Sequence, residues 1–163
     1  MLIRDALPED WQRIWPFWHE IVAAGETYAW DPGTCEPQAR SLWMGPSSRV
    51  FVVEEAADDG ARILASAFVK PNYGGNASRT ANAGFMVDPR HTGRGIGRKL
   101  AEHILDEARR DGYEGMVFNA VVETNPAVGL WTSLGFTIIG TVPKAFHHPA
   151  HGRVGLHIMH RAL

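Results

Sequence analysis

The sequence is poor in the features that anchor many specialised folds. A single cysteine, Cys35, stands among 163 residues, which rules out an internal disulfide and points to a reducing compartment, the cytoplasm. No apolar run approaches the roughly 20 residues that cross a bilayer. The opening Met1-Leu2-Ile3-Arg4-Asp5 lacks the charged-then-apolar layout of a secretory leader, so no membrane association is expected. An excess of one charge is also missing. Sixteen Lys and Arg against 18 Asp and Glu leave a formal net charge of −2, so no basic field points to nucleic acid, and any phosphate binding has to be local. There is no internal repeat, linker or low-complexity tract. A chain of this length with 45% hydrophobic residues fits one domain, residues 1–163, around a continuous core.

Periodicity divides the chain into elements. Residues 2–6 read as a strand, and Pro8, Glu9 and Asp10 suit a helix start that Gly25 ends. Between them Trp11, Ile14, Trp15, Trp18, Ile21 and Val22 form an apolar stripe. Thr34, Glu36 and Pro37 open a second helix, stopped by Gly45-Pro46. Residues 50–54 and 63–70 are β-rich and separated by a run ending in Asp59-Gly60, which predicts a hairpin. A strand at 83–87 follows. Between Gly93 and Gly112, Ile96, Leu100, Ile104 and Ala108 fall four apart and define an amphipathic helix. A strand at 116–122, a short helix at 126–134 and strands at 136–141 and 154–159 complete a mixed α/β sheet flanked by helices.

The chemistry concentrates between residues 87 and 100. Glycines 93, 95 and 97 are a costly way to begin a helix, and Arg94, Arg98 and Lys99 put cations at the end where the helix dipole disfavours them. An anion resolves both conflicts. Unpaired N–H groups at a helix N-terminus, approached closely through glycine, make a pyrophosphate site. A P-loop does not fit, because beyond the four residues that follow Gly93 the chain has Arg98-Lys99 where Gly-Lys-Ser/Thr is needed. The dinucleotide fingerprint does not fit either, because Arg98 replaces its third glycine.

Thr92-Gly93-Arg94-Gly95-Ile96-Gly97 resembles the Arg/Gln-x-x-Gly-x-Gly/Ala motif of the GNAT superfamily of acetyl-coenzyme A-dependent N-acetyltransferases, departing only at Thr92. The run from Asn125 to Phe136 is similar to the second conserved block of that superfamily. Tyr28 and its loop, the Pro-Arg-His-Thr-Gly turn and residues 140–146 look closest to the subgroup acetylating phosphinothricin and methionine sulfoximine. The resemblance implies a mostly antiparallel sheet of about six to seven strands, splayed in the middle, with about four helices. It implies acetyl-coenzyme A as co-substrate, bound by backbone groups of Phe85, Met86 and Val87, by Thr92, Gly93, Arg94, Gly95, Ile96, Gly97 and Arg98 at the pyrophosphate, and by Asn125 or Thr124 along the pantetheine arm. It also makes a homodimer plausible.

Acetyl transfer by direct attack needs a neutral amine and a proton source for the departing thiolate. The glutamate that the subgroup carries on the strand before the glycine turn corresponds to Asn82, which cannot take a proton. Glu123 or Glu26 is the alternative base. The superfamily's acidic tyrosine corresponds to Trp131, leaving Tyr73, Tyr28 or water as the acid. Loops around Glu26, Tyr28 and His147 are expected to wall an acceptor site for a small cationic or zwitterionic amine, such as an amino acid. His147, His148 and His151 lack the neighbouring cysteine or acid of a zinc site, and no metal is expected. A protein amine is the other acceptor, and a non-catalytic acyl-coenzyme A sensor is the competing reading.

Overall fold

The computed structural model describes residues 1–58 and 60–163, so Asp59 of the expected Asp-Gly turn lies outside the described residues. The elements run β1 (Leu2–Asp5), α1 (Trp11–Ala24), α2 (Glu36–Trp43), β2 (Arg49–Ala57), β3 (Gly60–Pro71), β4 (Thr80–Val87), α3 (Ile96–Arg110), β5 (Gly115–Val122), α4 (Ala127–Ser133), β6 (Thr137–His148) and β7 (Gly152–Ala162). One seven-stranded sheet has the order β1-β2-β3-β4-β5-β7-β6. Its pairs are antiparallel except β4–β5.

Strand alternation sends side chains to both faces of this sheet, and each face needs cover. Val50, Val52 and Phe68 meet α1 and α2 through Trp11, Ile14, Phe17, Trp18 and Trp43. Phe51, Val53, Ala67 and Val69 meet α3 and α4 on the other side, where the expected stripe Ile96, Leu100, Ile104 and Ala108 is buried. Each large aliphatic member of that stripe contributes about 1.5–3 kcal/mol. A register shift between Val53 and Glu54 skips Leu64, a bulge that sends Leu64 and Ala65 to the same cluster. Trp43 is locked to the sheet by Nε1 donating to Ser66 Oγ at 2.9 Å, and that hydroxyl donates to Phe51 O at 2.9 Å.

Helix α1 ends as expected at Gly25, whose φ of 67° is left-handed. The last two strands are longer than their sequence suggested. β6 runs on to His148 through Pro143 and Lys144, with an irregular register between Val142 and Phe146. It is an edge strand, where a missing N–H and a bulge are tolerated. The His-containing segment is therefore strand plus a short turn, in which His148 Nδ1 accepts the N–H groups of Ala150 and His151 at 3.0 and 3.2 Å.

At the start of α1, Asp10 is 0% exposed. It accepts bonds from Arg4 at 2.6 Å, Arg13 at 2.6 Å and the Leu7 N–H at 2.8 Å. Burial pushes its carboxyl up, but the bonds from Arg4 and Leu7 outweigh burial and hold it below the usual range. A folded value below the unfolded value of about 3.9 means the stabilisation is present above roughly pH 4 and lost as pH falls through the folded value. Asp10→Asn is expected to cost about 3 kcal/mol in urea unfolding at pH 7. The gap to wild type should narrow below roughly pH 4, and a gap independent of pH would show that the charge of Asp10 does not matter.

Candidate active site

β4 and β5 pair in parallel over Thr80↔Gly115, Ala81↔Met116 and Asn82↔Val117, and part beyond that point. Asn82 holds the fork, its Nδ2 donating to Val117 O at 2.9 Å. The parting strands open a cleft of about 710 Å3, lined by residues 83–87 of β4, 118–121 of β5, the loop at 26–30 and the first turns of α4. Asn119 lines it too, tied to Asn72 by reciprocal amide bonds of 3.3 and 2.7 Å.

One wall is aromatic. Tyr28 stacks on Trp30 at 4.8 Å, and Trp30 stacks on Trp18 at 5.4 Å. Phe68 lies directly over Gly84, where any Cβ would collide with its ring. The Tyr28 hydroxyl donates to Phe85 O at 2.8 Å and accepts the Phe85 N–H at 3.0 Å, and burial pushes its phenol pKa up despite that backbone bond. The charged residues lining the cleft, among those described, are Glu20 and Glu26.

The cleft ends at the glycine turn, which lines it through Pro89, Thr92 and Gly97. Asp88 caps a short turn at residues 89–91 by accepting the Arg90 N–H at 3.0 Å and pairing with the Arg90 guanidinium at 2.9 Å. Burial pushes Asp88 up, yet these bonds hold it below the usual carboxylate range. Gly93 and Gly95 are left-handed, with φ of 76° and 73° and open space where a Cβ would stand. Gly95 begins α3 without a side-chain cap, so the first N–H groups of the helix are available to a ligand. These observations fit a pyrophosphate. Arg94 is paired with Glu55 at 2.7 Å and Arg98 donates to Ser133 Oγ at 2.8 Å, so both guanidinium groups stand beside the turn with partners from β2 and α4.

Several residues singled out in the sequence meet in this cleft: Glu26, Tyr28, Asn82, Phe85, Met86, Val87, Thr92, Gly97 and Asn125 all line it. Asp88 donates its N–H to Leu64 O on β3 at 2.9 Å, so alternation turns the backbone groups of Phe85 and Val87 to the cleft and those of Met86 toward β3. Ile96 is core, 2% exposed, and only its backbone is at the turn. Asn125 Oδ1 accepts the Ala127 N–H at 2.9 Å and starts α4. Trp131 packs against Phe85 and Phe118, each at 4.9 Å.

Three residues lie elsewhere. Glu123 is at the end of β5 with Oε1 accepting the Gly155 N–H of β7 at 2.6 Å. A register shift between Phe118 and Val121 inserts one extra residue in β5 and changes the side to which later residues turn. Tyr73 is 53% exposed on the loop after β3. His147 is exposed on β6, opposite Arg153. Glu20, Phe68 and Asn119 were not anticipated as cleft residues, because the elements that bring them together are far apart in sequence.

A family model described as the acetyltransferase (GNAT) family matches residues 5–136. The chain is 41% identical to N-acetyltransferase aca1 of Schizosaccharomyces pombe over 80% of this chain and 68% of that one. An L-methionine sulfoximine/L-methionine sulfone acetyltransferase of Salmonella typhimurium is 38% identical, over 40% of this chain and 38% of its own length. Among solved structures, a GCN5-related N-acetyltransferase from Kribbella flavida superposes with TM-score 0.91 at 54% identity, covering 99% of this chain and 97% of that one. YncA of Salmonella typhimurium, a putative acetyltransferase solved with acetyl-CoA, gives TM-score 0.80 at 30% identity over 100% and 94% of the two chains. With a forked sheet, a glycine turn at the end of its cleft and these relatives, the chain belongs to the GNAT family and is an acetyl-coenzyme A-dependent N-acetyltransferase.

Proposed function

We propose that the acceptor is the primary amine of a small molecule, an amino acid or related compound, and that the β4–β5 fork is where it meets the acetyl group. The observation that carries this reading is the continuity of the cleft, from the glycine turn to the aromatic wall around Tyr28 with Glu26 beside it. The N–H groups at the start of α3 hold the pyrophosphate, Asn125 and Val87 hold the pantetheine arm, and the Phe85 N–H polarises the carbonyl. Acetyl-coenzyme A supplies an activated acetyl thioester.

The cleft is built for positioning more than for proton transfer. Asn82 fixes the fork and takes no proton. Glu123 is engaged with Gly155, so it braces β7, and water accepts the proton of the amine. Tyr28 is a poor acid toward a thiolate, whose conjugate pKa is about 8.5, because burial pushes its phenol well above its ordinary value. Glu20 and Glu26 draw a cationic amine to the rim, and holding two reactants in register supplies much of the rate. Exposed Ile138, Ile139 and Val142 on edge strand β6 support pairing of two copies through that edge. The single cysteine supports a cytoplasmic setting.

Two outcomes test this. With a lysine-like acceptor amine of pKa about 10.4, kcat/KM should rise tenfold per pH unit from pH 7 toward that value, and Glu123→Gln should leave the profile in place. A plateau near pH 7 that Glu123→Gln removes would restore a protein base. Gly95→Ala should fold with a penalty of about 1–2 kcal/mol from its left-handed φ and lose roughly tenfold in coenzyme A affinity by calorimetry. Unchanged affinity would remove the glycine turn from the phosphate site.

A further inference from the structure

Beyond Asn82 no strand among the described residues pairs with the cleft side of β4, and backbone groups left there in an apolar wall need partners. At Phe85 a single atom meets both needs. Tyr28 Oη accepts the Phe85 N–H at 3.0 Å and donates to the Phe85 C=O at 2.8 Å, doing for one residue what a neighbouring strand would do. The hydroxyl is delivered by a stack of rings. Tyr28 lies on Trp30 at an interplanar angle of 16°, Trp30 lies on Trp18 at 18°, and Trp43 meets Trp30 edge-on while bonded to Ser66. The same loop carries Glu26 into the cleft.

We infer that Tyr28 is a specificity-determining residue: its hydroxyl occupies the Phe85 N–H in the free enzyme and is displaced by a ligand that brings its own carbonyl oxygen to that donor. The inference rests on acetyl-coenzyme A binding at Phe85 as proposed above. It has two consequences. The acetyl group adds little to ground-state affinity, since the bond it accepts from the Phe85 N–H replaces one that Tyr28 already accepts and the Tyr28 bond to the Phe85 C=O is given up with it, and binding energy at Phe85 is kept for the stronger acceptor that develops during transfer. Loading the acyl group also releases Tyr28 and the loop that holds Glu26, so the acceptor wall takes its working position only after acetyl-coenzyme A is in place.

Free coenzyme A has no thioester carbonyl, and this separates competition from a general structural role. Calorimetry on wild type and Tyr28→Phe should show acetyl-coenzyme A tightened by about 3- to 10-fold with coenzyme A unchanged. A ratio of the two affinities equal to that of wild type, or a weakening of acetyl-coenzyme A, would overturn the inference. If Tyr28→Phe does not fold, the wild-type protein answers by NMR: the Phe85 amide and Tyr28 ring resonances should move with acetyl-coenzyme A and stay nearly in place with coenzyme A. Identical positions in the two complexes would overturn it. A wild type that binds neither ligand would instead contradict the cofactor reading, which is a different failure.

Discussion

Three residue pairs hold β4 to β5, and then the strands separate. The cleft and the backbone groups that line it follow from the hydrogen bonds given up at that fork. Two parallel strands in a closed sheet satisfy each other. Once parted, they leave backbone donors and acceptors facing a cavity, and those groups must find other partners. Asn82 spans the last rung with its amide, Tyr28 caps Phe85, and a ligand with amide and carbonyl groups of its own can supply the rest. The two helical layers keep the fork open. α1 and α2 hold one face through a tryptophan-rich core, and α3 and α4 hold the other.

The glycine turn extends the same logic to charge. A strand ending in the fork leads through left-handed Gly93 and Gly95 into an uncapped helix, so donors from the strand and donors from the helix lie along one path. A thioester arm and a pyrophosphate need that sequence of donors. Asn82 at the fork and Trp131 beside Phe85 both line the cleft, and neither side chain serves as a general acid or base. In the mechanism proposed above, the rate depends on reactant geometry and on the ionisation of the amine itself.

Local regularities were readable in the chain before its fold was known. The stripe of α3 announces itself because side chains four apart share a face, and the glycine turn stands out because its cost requires a compensation. Longer-range features were not readable. The bond between Tyr28 and Phe85 joins residues 57 apart, and although Tyr28 and its loop stood out in the sequence, its partner shows only when β4 is placed beside it. Glu123 was a candidate base from its place at the end of this strand, but one inserted residue in β5 changes the side to which later residues turn. The extension of β6 through Pro143, Lys144 and His147 carries no alternating pattern, because an edge strand exposed along most of its length has no buried face to impose one.

The most direct measurement is a crystal structure of the protein with acetyl-coenzyme A. The account predicts the pyrophosphate on the N–H groups at the start of α3, beside Gly95 and Gly97, and the thioester carbonyl oxygen about 3 Å from the Phe85 N. A coenzyme bound away from the β4–β5 fork, or one whose carbonyl leaves Phe85 paired only with Tyr28, would contradict it.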